Sequence, residues 1–137
     1  VYDSEAIGFE GQPFLNMVVG IQTDMGVGEL ARQLRHIEVE HGRPENARRF
    51  SSRQLDIDIL TYDDLTGVVE GVELPRAEII ENAFVLCPLA DLAGEEIHPL
   101  TAATYAELWR DYDRDSQAIV RVPFQWRGKE ISLAGSP

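Results

Sequence analysis

The stretch Leu55-Asp-Ile-Asp-Ile-Leu-Thr-Tyr62 alternates apolar and polar side chains, and that alternation restricts the folding of this chain more than any other feature. Side chains two apart on an extended backbone leave the same face. Leu55, Ile57 and Ile59 therefore require a core on one side, while Asp56 and Asp58 are delivered together to the other. The predicted strand runs over Leu55–Tyr62, with Asp63-Asp64 turning the chain. It needs a sheet to hold it and other elements to cover its apolar face.

The flanking sequence supplies both. Val1–Pro13, interrupted by Gly8, Gly11 and Pro13, reads as the end of a strand running into a loop, and Phe14–Thr23 reads as a second strand. Val27, Leu30, Ala31, Leu34 and Ile37 follow helical spacing, which predicts a helix over Val27–Glu40 ended by Gly42. Arg43–Ser52 is a polar loop. Val68–Glu73 is a short edge strand, and Arg76–Leu92 is one or two helical pieces with Pro88 at a break or in a first turn. Thr101 is placed to cap a helix reaching Tyr112, and Ile119–Phe124 and Glu130–Leu133 are final short strands. The expected class is α+β, a sandwich with an antiparallel or mixed sheet and helices packed on it, in one domain over residues 1–137.

Composition narrows the functional classes. Apolar residues at 44% are enough for a core, which excludes a disordered chain. A formal charge of −12 argues against nucleic acid or an anionic membrane as partner, since both demand a positive footprint. The single Cys87 excludes an intramolecular disulfide framework and a cysteine-rich zinc site and is expected in the core. With no membrane-length apolar run and no leader pattern, a cytoplasmic protein is expected. His36, His41 and His98 lack metal-ligand spacing, with a surface pair expected between His36 and Glu40, and neither a P-loop nor a Gly-x-Ser-x-Gly elbow occurs.

The chemistry concentrates in Arg43–Leu60. Two adjacent carboxylates repel each other unless a proton or cation intervenes. Mg²⁺ suits such a pair because it takes one or two carboxylates and completes its shell with phosphate and water. The bland alternative is an exposed strand face that happens to be acidic. Four of the 12 basic residues, Arg43, Arg48, Arg49 and Arg53, lie just before the aspartates, and guanidinium forks match phosphate oxygens. The alternative is a loop whose arginines pair with the chain's surplus carboxylates. Phe14 beside Asn16, and Phe84, could stack on a flat heterocycle and read its edge, or simply pack in the core.

Taken together, Gly42-Arg43, the arginine loop, Arg53-Gln-Leu-Asp-Ile-Asp-Ile-Leu60, Gln12-Pro13-Phe14-Leu-Asn16 and Pro75 through Ala83-Phe-Val-Leu-Cys-Pro-Leu89 resemble, in order, the signature blocks of the 6-hydroxymethyl-7,8-dihydropterin pyrophosphokinase family of folate biosynthesis. The resemblance spans roughly Tyr2 to Pro99. It implies a ferredoxin-like α+β fold and transfer of diphosphate from ATP to the pterin hydroxymethyl oxygen with release of AMP. It further implies that Asp56 and Asp58 bind two Mg²⁺ ions, and that Arg43, Arg49 and Arg53 act catalytically on a loop closing over ATP. Glu38, Ile59 and Arg76 fall at ATP-binding positions, and Ser4, Ile7, Phe14, Asn16 and Phe84 at pterin-binding ones. A monomer is expected. The chain departs from the pattern at Ser51-Ser52 in place of Gly-Pro, Glu45 and Asn82 in place of arginines, and Arg76 in place of histidine. It also lacks the strand and helix with which the family normally begins, so an N-terminally incomplete domain is expected. Two alternatives stand beside the enzyme: a weakly active or inactive relative that binds pterin or nucleotide, and a structural or partner-binding domain that takes neither.

Overall fold

The computed structural model describes residues 1–4, 14–42 and 55–135. Strand β1 (Tyr2–Ser4) is the middle of a three-stranded antiparallel sheet, between β2 (Phe14–Asn16) and a late strand at Ile119–Arg121. Tyr2 lies opposite Asn16 on one side and Arg121 on the other. Helix α1 occupies Val27–Glu40, the span its periodicity predicts, and Gly42 follows it with φ 95°. Next come the hairpin β3 (Gly67–Val69) and β4 (Val72–Leu74), the short helix α2 (Glu78–Glu81), α3 (Ala83–Ala93) and α4 (Tyr105–Asp111). The chain ends in β5 (Ile119–Arg121) and the hairpin β6 (Phe124–Trp126) with β7 (Lys129–Ser132). Helices packed on antiparallel sheet make the class α+β, as expected; all pairings among the described strands are antiparallel.

Helix α3 organises the core because it is apolar nearly all round. Ala83 and Cys87, four apart, join Tyr2 and Ile119 on the sheet side. Leu86 and Leu89 turn instead to Ile79 and Tyr105, where Val18, Leu60 and Leu108 close the cluster. Each large side chain buried here contributes roughly 1.5–3 kcal/mol.

Several expectations are corrected. Phe14–Thr23 is a strand only as far as Asn16, where its ladder with β1 runs out, and residues 17–23 carry no ladder among the described residues. Leu55–Tyr62 likewise lies in no ladder, although its faces alternate as predicted: Leu55, Ile57 and Ile59 are half-buried, Asp56 and Asp58 exposed. Alternation sets which way side chains point, whereas a ladder needs a neighbouring strand. Val68–Glu73 is a hairpin rather than one strand, because Glu70 and Gly71, with φ 50° and 86°, form a two-residue turn of positive φ that matches strand twist.

Pro88 lies inside α3, and the helical break falls at Asn82, whose φ −118° and ψ 125° are extended. The buried packing of α3 on two clusters outweighs the single backbone bond that Pro88 forgoes. The cap of α4 is Thr104, not Thr101: Thr104 accepts from the Glu107 N–H at 3.1 Å while the Glu107 carboxylate accepts from the Thr104 N–H, a reciprocal box. The Ile119–Phe124 strand splits at Val122-Pro123 into β5 and β6, and the last strand spans Lys129–Ser132 rather than Glu130–Leu133.

Candidate active site

The Asp56–Asp58 segment is held in place by side chains rather than by a ladder. Glu38, near the end of α1 and only 4% exposed, accepts a hydrogen bond from the Ile57 N–H at 2.7 Å, so the residue between the two aspartates is anchored from beneath. The Leu60 carbonyl accepts from the Arg76 N–H at 2.8 Å, and Tyr62 Oη donates to the Met25 carbonyl at 2.6 Å. Helix α1 is fixed in turn from the β3–β4 turn. Its N-cap Gly26 offers no side chain, and Glu70 Oε2 instead accepts from the Gly28 N–H at 2.6 Å. A Cβ at Gly28 would lie 3.1 Å from the Glu70 side chain, so this close approach uses the glycine.

These anchors leave Asp56 and Asp58 exposed on one face and in electrostatic contact. Partial desolvation, and then the Asp56 carboxylate, push the Asp58 carboxyl above its ordinary value; Arg76 pulls the other way, and Glu78 and Glu38 add to the push. The Arg76 guanidinium lies 3.7 Å from Asp58 and donates to Glu78 Oε1 through Nε at 3.1 Å and Nη2 at 2.6 Å. Glu78 Oε2 accepts from Asn82 Nδ2 at 3.3 Å, Asn82 Oδ1 accepts from Gln117 Nε2 at 2.8 Å, and Gln117 Oε1 accepts from the Ala83 N–H at 2.8 Å. A polar chain thus runs from the aspartates to the start of α3.

Of the other residues singled out from sequence, Phe84 sits in the first turn of α3, half-buried against the Tyr2, Ala83, Cys87 and Ile119 cluster with Trp109 and Tyr112. Asn16 is half-buried in β2, with Nδ2 3.5 Å from the Tyr2 carbonyl. Ile59 is half-buried beside Asp58. Ser4 and Phe14 end their strands opposite each other in the β1–β2 register. Ile7, Arg43, Arg49 and Arg53 lie outside the described residues, as do Glu45 and Ser51-Ser52.

The chain matches the family model of 7,8-dihydro-6-hydroxymethylpterin-pyrophosphokinase over residues 1–94, more than half its length. The chain belongs to this family. A folic acid synthesis protein of Pneumocystis carinii is 31% identical over 136 residues, 98% of this chain and 18% of the relative. A folate synthesis bifunctional protein of Arabidopsis thaliana is 39% identical over 97 residues, 70% of this chain and 20% of its own. The 2-amino-4-hydroxy-6-hydroxymethyldihydropteridine pyrophosphokinase of Aquifex aeolicus is 35% identical over 101 residues, 73% of this chain and 62% of its own. The chain therefore spans less than two thirds of the length of these relatives. The family match covers α1, the aspartate segment, Arg76 and α3 to Gly94, so the anchored acidic face falls inside it.

Sequence reading missed the supports of the site. Gln117 and Glu70 act across 34 and 42 residues, and only a general rule, that helix N-termini need acceptors, hinted that partners existed. Other expectations hold. Cys87 is buried, and His36 Nε2 lies 3.1 Å from Glu40. His98 is buried with Nδ1 accepting from the Leu100 and Thr101 N–H groups, both at 3.2 Å. Desolvation lowers its pKa below the ordinary histidine value. No helix among the described residues is long and apolar enough to cross a membrane.

Proposed function

We propose that this domain transfers diphosphate from ATP to the hydroxymethyl group of 6-hydroxymethyl-7,8-dihydropterin, releasing AMP, as a monomeric cytoplasmic enzyme of folate synthesis. The observation that carries the reading is the joint exposure of Asp56 and Asp58 on a segment pinned by Glu38, with Arg76 alongside. The donor set fits Mg²⁺: two neighbouring hard carboxylates, both exposed on one face. Two such ions when bound would neutralise phosphate charge and polarise the β-phosphorus.

The chain's own part is positioning. The hydroxymethyl oxygen forms a bond to the β-phosphorus and gives up its proton to solvent, and the bond from that phosphorus to the oxygen bridging the α-phosphorus breaks as AMP leaves. Such a transfer asks for in-line placement and charge balance rather than covalent help from the protein. Asp56 and Asp58 fix where the phosphates lie, Arg43, Arg49 and Arg53 balance charge on the leaving AMP, and Arg76 with Glu38 and Ile59 borders the nucleotide. Phe14 and Phe84 enclose the pterin ring, Asn16 reads its edge, and Ser4 and Ile7 border it. Closure of the arginine loop over ATP would exclude water.

The test is Mg²⁺-dependent AMP release from ATP with the reduced pterin alcohol. Asp56→Ala and Asp58→Ala are each expected to abolish turnover while far-UV circular dichroism stays unchanged, and full turnover in either variant rejects the metal role. One observation favours a second reading, a binding relative with poor turnover: Asn82, at a position where arginine is expected, is neutral and engaged by Glu78 and Gln117. Calorimetric binding of ATP and pterin without AMP formation would select that reading.

A further inference from the structure

The acidic face already contains a cation belonging to the chain. Arg76 reaches Asp58 at 3.7 Å and is gripped by Glu78 through two donors at 3.1 and 2.6 Å, all three side chains being about one-third exposed. Its backbone is tied to the same segment through the Leu60 carbonyl. The guanidinium is thus held beside the carboxylate that a divalent ion would need, and Glu78, which also accepts from Asn82, is its nearer partner. The shorter contacts are to Glu78 and the longer one is to Asp58, an arrangement suited to giving up the second partner without losing the first.

We propose that Arg76, held by Glu78, is a resident counter-ion of Asp58, displaced from it when a divalent cation binds, so that cation uptake and release of the guanidinium toward a phosphate are one coupled event. This rests on the reading of Asp56 and Asp58 as cation ligands. Before loading, Arg76 compensates the repulsion between the two acids. After loading, the ion takes over that task and Arg76, still oriented by Glu78, has donors to spare for an anion. Two ligands of opposite sign are then linked through one side chain, and each promotes binding of the other.

The experiment measures Mn²⁺ binding to the protein by calorimetry and electron paramagnetic resonance, without nucleotide. R76Q is expected to bind Mn²⁺ up to about fivefold more tightly than the parent, the ceiling set by a partly exposed ion pair. R76K, which restores the charge without the fork, falls between the two. D58N loses binding. A merely structural role for Arg76 would weaken the site on substitution, so a gain in affinity distinguishes the two. In the unsubstituted protein, the Arg76 Nε–Hε nuclear magnetic resonance signal is expected to move on Mg²⁺ saturation and to stay put in D58N. The proposal is overturned if R76Q gains no affinity while D58N loses it, or if the Arg76 signal is unmoved by saturating Mg²⁺. Parent-like Mn²⁺ binding in both D56N and D58N would instead remove the cation reading beneath it.

Discussion

Replacing Glu38 tests whether the aspartate segment is positioned from below. Its Oε2 accepts from the Ile57 N–H at 2.7 Å, a charged acceptor on a backbone donor. Bonds of this kind contribute roughly 1.5–3 kcal/mol, and truncation leaves the donor without a partner. Ile57 is half-buried, so water can partly replace the lost carboxylate, and the lower part of that range applies. We expect Glu38→Ala to cost about 2 kcal/mol. For a domain of this length that corresponds to a fall in Tm of about 6–10 °C. Glu38→Gln keeps an oxygen acceptor of the same reach and should lose less than about 1 kcal/mol. Urea unfolding followed by far-UV circular dichroism gives both values, and Mn²⁺ titration of the folded variants reports on the site. Glu38→Ala should weaken Mn²⁺ binding as Ile57 loosens. A Glu38→Ala protein within about 0.5 kcal/mol of the parent, or a Glu38→Gln protein as unstable as Glu38→Ala, would refute the anchoring argument.

Two further outcomes are expected. Glu70→Ala removes the acceptor at the start of α1 and should destabilise the protein by about 1 kcal/mol, measurable by urea unfolding, with Glu70→Asp also failing to restore stability because the shorter side chain does not span the gap to Gly28. His98 is held below its ordinary pKa by burial, so the unfolded chain takes up a proton first as pH falls. Stability should therefore be level above about pH 6.5 and decline below it, and thermal melts across that interval should show the slope reduced in His98→Asn.

Legibility in the sequence followed the range of the interaction. Helix α1 was readable to its ends because five apolar residues at helical spacing and a glycine with positive φ are local facts. The opposed faces of Leu55–Leu60 were readable for the same reason. Thr101 and Thr104 are both plausible caps by residue type, but only Thr104 has a glutamate three residues on, and that reciprocal pattern identifies the true cap. Pro88 misled because propensity penalises proline inside a helix, while the burial of Ala83, Leu86, Cys87 and Leu89 around it is a tertiary gain.

The pairing of two aspartates on one face, the amphipathic helix before them and the order of family blocks belong to the sequence alone, because each depends on neighbours a few positions away. What supports those aspartates was decided only in three dimensions. Glu38, Arg76, Glu78 and Gln117 meet the site or its scaffold across turns, helices and long separations, and the chain order of residues carries no information about which distant donor a buried carboxylate will find. The strand that alternation promised also depended on that level, since a hydrogen-bond ladder is a property of two segments and the pattern of one cannot supply the other.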